Sequence, residues 1–123
     1  MNLEQQVKNA GPHELVLMLY DGCINFIDKG EEALVNKDYE TSNNFLQRAE
    51  NILTELTINL DMKYDISKQL SSLYCYAYDR LVEGNLFSKT SLIEEAKKIV
   101  SELRDAWIQA INKVTPEEIE AFA

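Results

Sequence analysis

The sequence predicts an all-α fold: an antiparallel four-helix bundle ending in either a short C-terminal helical turn or a loose tail. Only four glycines and two prolines interrupt 123 residues, which favours long helices over turn-rich sheet. Apolar residues recur at three- and four-residue steps through four stretches of about 20–25 residues. Short connections between such stretches imply antiparallel neighbours in a bundle about 30–35 Å long. The length accounts for one domain with a real core. Its expected divisions are a short N-terminal arm at 1–11, the bundle at 12–112 and a tail at 113–123.

The first helix is expected from Pro12 to Val35. Proline at the first helical position loses nothing by lacking an N–H, and Asn36 offers a left-handed stop. Leu15, Leu19, Gly22 and Phe26 form one face with Met18 beside it, whereas Leu17, Tyr20, Ile24 and Ile27 fall on others. A helix this apolar is either buried on every side or open to a partner.

Asp38 is the natural N-cap of the second helix. That helix carries Phe45, Ala49, Ile52, Leu56 and Leu60, with Leu46 and Leu53 widening a single stripe. The third follows Asp61–Asp65, with Asp65 as its cap, and places Ile66, Leu70, Leu73, Ala77 and Leu81 on one face. Asn85 to Ser91 makes the last connection, with Ser88 or Thr90 as cap. The fourth helix turns Leu92, Ala96, Ile99, Leu103, Ala106 and Ala110 inward. Beyond Lys113, Thr115-Pro116-Glu117-Glu118 has the form of a helix start, after which Ile119 and Phe122 dock one turn or trail in solvent.

Three of these helices carry apolar residues that a single stripe does not use. The third adds Cys75, Tyr78, Val82 and Leu86; the fourth adds Ile93, Val100, Trp107 and Ile111; the first adds Leu17, Tyr20, Ile24 and Ile27. Wide contact with two bundle neighbours explains such rows. So does a surface for a partner, because four large side chains left in water are each worth roughly 1.5–3 kcal/mol when buried. An amphipathic helix or extended chain is the fitting occupant.

Composition narrows the partner. A formal charge of −9 argues against nucleic acid and anionic membranes. No run of about 18 apolar residues is present to insert in a membrane, and the start lacks the pattern of a signal peptide, so a cytoplasmic location is expected. Cys23 and Cys75 read as reduced, small hydrophobes.

Three segments then fall together. Pro12-His13-Glu14-Leu15-Val16-Leu17-Met18-Leu19-Tyr20-Asp21-Gly22 resembles the P-x-E-L-V-x-M-L-Y-D-G opening of the flagellin-specific export chaperone family (FliS). Leu81-Val82-Glu83-Gly84-Asn85 is similar to its L-V-E-A-N segment, and Leu103-Arg104-Asp105-Ala106-Trp107 to its L-R-D-A-W. Thr54-Glu55-Leu56 and Leu60-Asp61 also agree, so the likeness runs from Val7 to Ile111 in order and spacing.

The resemblance implies a cytosolic type III export chaperone. Its partners would be the disordered C-terminal segment of flagellin and a component of the export gate, with premature polymerisation prevented. A disordered segment must offset its ordering entropy by apolar burial, and the surplus rows provide it. Contact is expected at Tyr78, Val82, Asn85 and Leu86, with Ile93, Val100 and Trp107 as further positions. Asn85 is read as bonding a cargo backbone group or as a helix stop after Gly84. Arg104 and Asp105 are read as a tie to a neighbouring helix or to the cargo, and Tyr20 and Asp21 as a packing and end-orienting pair or as direct cargo contacts, the structural reading being preferred for both. The chain departs from the family pattern where the arm's tyrosine is replaced by Asn2, where Gly11 replaces a serine cap, and in a shorter connection after Asp61.

An enzyme finds little support, and no catalytic residue, cofactor or metal is expected. His13 is the only histidine, no Glu-x-x-His pair suits a di-iron bundle, and no glycine-rich phosphate loop occurs. Two alternatives share the fold: a histidine phosphotransfer domain and a generic helical adaptor that uses the same rows to self-associate. For the first, Pro12 and Glu14 flank His13 with poor chemistry for holding phosphate.

Overall fold

The computed structural model describes residues 11–111. They form four helices: α1 (Pro12–Val35), α2 (Tyr39–Ile58), α3 (Asp65–Leu86) and α4 (Thr90–Ile111). Each packs on two neighbours, α1 on α2 and α4, α3 on α2 and α4, which closes a four-membered ring. Of the expected arm at 1–11 all but Gly11, and the whole tail at 113–123, lie outside the described residues.

Local chemistry sets the helix ends. Gly11 precedes α1 without a side-chain cap, and Pro12 stands at its first position. Asp38 caps α2 by accepting from the Thr41 N–H at 3.2 Å. The left-handed residue after α1 is Lys37, φ 59°, and not Asn36. With it in place, the Asp38 N–H reaches back to the Ala33 carbonyl at 2.9 Å. At the start of α3, Tyr64 occupies the cap position and Asp65 is already helical. The α3–α4 turn is tighter than its sequence suggests, because α3 continues to Leu86 and Ser88 takes φ 52°.

Two glycines mark close approaches. A methyl on Gly30 would lie 2.7 Å from the Leu46 side chain, and the Ser42 hydroxyl donates to the Gly30 carbonyl at 2.8 Å. A methyl on Gly84 would lie 2.6 Å from Ile93 Cγ1 and 3.1 Å from the Lys89 carbonyl oxygen. Gly84 stands where the resembling motif has alanine, and Ile93 fills the space that alanine would take.

The core is rotated from expectation in three helices. In α2 the predicted stripe holds at its centre: Leu46, Ala49, Leu53 and Leu56 are buried, Phe45 and Ile52 are half-buried, and Leu60 is buried just beyond the helix end. In α1 the buried line is Val16, Tyr20, Cys23 and Ile27, one position on from the expected Leu15, Leu19, Gly22 and Phe26. In α3, Tyr74 is buried while Ile66 and Leu73 are exposed. In α4 the centre of the stripe is Ile93, Ala96, Val100 and Trp107, whereas Leu92, Ile99 and Leu103 are half-buried and Ala106 is exposed. The expectation that Ile93, Val100 and Trp107 form an open row is therefore corrected.

The physical reason lies with three aromatic residues that carry a polar atom. Tyr20 and Tyr74 bury their rings and join hydroxyls at 2.6 Å across the core. The Trp107 indole N–H donates to the His13 carbonyl at 2.9 Å, tying α4 to the first turn of α1. Each buries a large apolar body once its polar end has a partner, and that gain sets the rotation of its helix. Around this core Arg104 meets Asp21 at 3.5 Å and Asp105 at 3.2 Å, and Lys97 meets Asp28 at 2.7 Å. Arg104, Asp21 and Tyr20 thus have the structural roles expected of them. Glu94 sits against Glu31 of α1, and burial together with that second carboxyl pushes Glu31 up to about 7.

Candidate binding groove

With α3 rotated so that Tyr74, Ala77 and Leu81 face the core, the row one turn-flank away borders α2. Tyr78 is 38 % exposed, Val82 37 % and Leu86 72 %. Together with the exposed Cys75 they form the α3 wall of a seam between the two helices. Two cavities follow one another along it. The first, of about 230 Å³, lies between Thr54, Thr57 and Ile58 of α2 and Cys75, Tyr78 and Asp79 of α3. Its lining is almost wholly apolar. The second, of about 510 Å³, lies between Asn43, Gln47 and Glu50 of α2 and Val82, Asn85 and Leu86 of α3. Leu34 and Tyr39 close its end. From Tyr74 to Leu86 the seam runs about 18 Å at helical rise.

Four of the seven sequence-derived contact residues, Tyr78, Val82, Asn85 and Leu86, are thereby brought to one seam. The other three lie elsewhere. Ile93 and Val100 are fully buried and Trp107 is 3 % exposed. Ile93 packs beneath Gly84 and so holds the end of α3 that carries Asn85 and Leu86. Asn85 does not stop the helix; its amide donates to the Asn43 side chain of α2 at 2.6 Å, which pins the two groove walls together.

The α2 wall was not legible in the sequence. Its stripe looked single, and the residues lining the groove from this side are mostly polar: Asn43, Gln47, Glu50, Thr54 and Thr57. The available signal was Ile58, a large apolar side chain outside the stripe and exposed at the helix end. A second flank of α3 also opens on a cavity. There the exposed Ile66 and Leu73 meet Leu103, Ala106 and the edge of Trp107 across about 260 Å³.

Electrostatics single out Glu50. It is buried to 8 % exposure, and its Oε2 has no hydrogen-bond partner among the described residues. Burial pushes its carboxyl from the ordinary 4.5 up to about 7. The native state therefore retains a proton that the unfolded chain releases near 4.5. Its contribution to stability is full below that value and is lost as pH rises through about 7. Glu50→Gln is expected to be more stable than the parent by about 1–3 kcal/mol at pH 8. The two should match near pH 4.5, where both side chains are neutral; urea melts at the two pH values measure this. Of the two free thiols, Cys75 is exposed on the groove wall, and Cys23 is buried in the core with its thiol pushed up to about 12. Among the described residues no group of three or more His, Cys, Asp or Glu could hold a metal ion. None of the four described helices is long and apolar enough to cross a membrane.

Comparison with known proteins places this architecture. Residues 1–114 match the family model described as flagellar protein FliS. The chain is 40 % identical over 108 residues to the flagellar secretion chaperone FliS of Bacillus subtilis, covering 88 % of this chain and 81 % of that one. It is 31 % identical over 121 residues to the flagellar secretion chaperone FliS of Salmonella typhimurium, covering 96 % of this chain and 90 % of that one. With the protein of the same description from Campylobacter jejuni it shares 29 % identity over 114 residues, covering 91 % and 89 %.

Proposed function

The chain belongs to the flagellar protein FliS family, and from that premise we propose that its α2–α3 groove holds the C-terminal segment of flagellin in the cytoplasm before export. The observation that carries this reading is the row Tyr78, Val82 and Leu86, which stays open on a bundle whose core is complete without it. A segment that is disordered when free gains its binding energy by burying apolar area, and it needs few fixed polar contacts. The nearly apolar first cavity and the more mixed second one suit a helix laid along the seam with apolar anchors every three or four residues.

In this reading Tyr78, Val82 and Leu86 touch the cargo, and Asn85 holds the groove walls at the right separation. Ile93 supports the Asn85 end of that surface from beneath Gly84, and Val100 and Trp107 belong to the core. A flagellin end so covered cannot join the filament, which keeps it unpolymerised and available to the export apparatus. A component of the export gate is the second partner, met by the loaded chaperone.

Calorimetric titration of the purified protein with a flagellin C-terminal segment tests the proposal. A one-to-one complex with a negative heat-capacity change is expected, because apolar surface is buried. A tight self-dimer that ignores the segment would instead make the protein a homo-oligomerising adaptor.

A further inference from the structure

We propose that Glu50 is the polar specificity point of the groove, where its carboxyl receives a lysine or arginine side chain of the docked segment. This inference rests on the groove being the cargo site.

Ser42, Asn43, Gln47 and Asn85 around the second cavity are each turned to a partner within the bundle. Asn85 bonds Asn43 at 2.6 Å, Gln47 bonds Asn43 at 3.4 Å, and the Ser42 hydroxyl bonds the Gly30 carbonyl at 2.8 Å. Glu50 alone on that wall has a buried oxygen without one. A carboxyl left this way is costly, and bringing a donor to it relieves the cost. The last side-chain torsion of glutamate is soft, so either oxygen can turn toward an occupant of the groove.

The donor is specified by charge. Burial raises the Glu50 carboxyl, and no lysine or arginine among the described residues pairs with it. The walls of the second cavity contribute Leu34 from α1, Asn43 and Gln47 from α2, and Val82, Asn85 and Leu86 from α3; Tyr39 is the other titratable group there, and Cys75, Tyr78 and Asp79 line the first cavity. Of the nearby α3 charges, Arg80 is engaged with Glu83 at 2.7 Å and lies over the Tyr76 ring, whose hydroxyl bonds Glu95 of α4, so it faces the opposite flank. A protein of formal charge −9 also attracts basic side chains to its clefts. An incoming ammonium or guanidinium pairs with the carboxylate and expels its proton. Affinity therefore rises as pH passes from 6 to 8.

The test uses the whole chain, Glu50→Gln, and two probes: a flagellin C-terminal segment and the same segment with its lysines and arginines changed to glutamine. The parent is expected to bind the unmodified segment several-fold more tightly at pH 8 than at pH 6, with release of protons on binding. At pH 8 Glu50→Gln should bind it about tenfold more weakly, the scale of one charge-assisted hydrogen bond, and its affinity should not vary with pH. Against the glutamine-substituted segment the two proteins should bind alike. Equal affinity of both proteins for the unmodified segment at pH 8 overturns the proposal. An equal loss by Glu50→Gln on both segments overturns it too, since the partner of Glu50 would then be a neutral donor. Failure of the parent to bind either segment removes the cargo groove itself. Melting curves of Glu50→Gln exclude misfolding as the source of any loss.

Discussion

Val82→Glu is expected to weaken binding of the flagellin C-terminal segment by at least about 30-fold, the scale of a hot-spot residue, and to leave the bundle folded. Val82 is exposed in the free protein, so a glutamate there can stand in water until cargo arrives. Binding then removes that option. The variant forfeits the roughly 1.5–3 kcal/mol gained by burying an aliphatic side chain and must strip water from a second carboxylate in a cavity that already holds Glu50. Calorimetry reads the affinity, and a urea melt at the same pH reads the stability. Parental affinity in the variant would remove the α2–α3 seam from consideration as the cargo surface. A matching fall in stability would show Val82 to be part of the core.

Trp107→Ala should have the larger effect on folding, a loss of about 3–5 kcal/mol. That is a large part of the 5–15 kcal/mol that holds a typical domain together. The indole is 3 % exposed and its N–H is bonded to the His13 carbonyl. Truncation leaves a cavity between α4 and α1 and an acceptor without its donor. Trp107→Phe keeps most of the ring and removes the donor, and is expected to lose only about 1–2 kcal/mol. Denaturant titration of the three proteins measures both steps. A similar loss in the two variants would assign the stabilisation to the hydrogen bond rather than to packing. Neither change alters a groove wall, so cargo affinity measured well below the melting transition should stay near the parental value.

These two residues show where sequence reasoning succeeded and where it did not. Val82 and Trp107 sit in surplus apolar rows of the same kind, one on α3 and one on α4. Spacing alone treats them alike. The structure separates them because the indole N–H finds a carbonyl at the start of α1, whereas Val82 meets only the open seam. Tyr20 and Tyr74 make the same point. Hydroxyl-bearing rings look like poor core residues one at a time, yet in the pair one hydroxyl donates to the other at 2.6 Å, while Ile66 and Leu73 lie at the surface. Glu50 carries no signal in the sequence for a related reason. It stands one position beyond Ala49 on the α2 stripe, and only the approach of α3 buries it.

The number of helices, their extents and most of their ends were legible in the residues alone, because these depend on near neighbours in the chain. Pro12 opens α1, Asp38 caps α2, and an apolar stripe needs no partner to show its period. Motif order from Val7 to Ile111 likewise identified the family, as a linear pattern can. How far each helix turns about its own axis depends on what stands opposite, across tens of residues. Tertiary packing therefore decided that Ile93, Val100 and Trp107 turn inward while Tyr78, Val82 and Leu86 remain outside. It also left one buried carboxyl facing the seam, since a helix satisfies its own backbone but only a neighbour can satisfy a side chain.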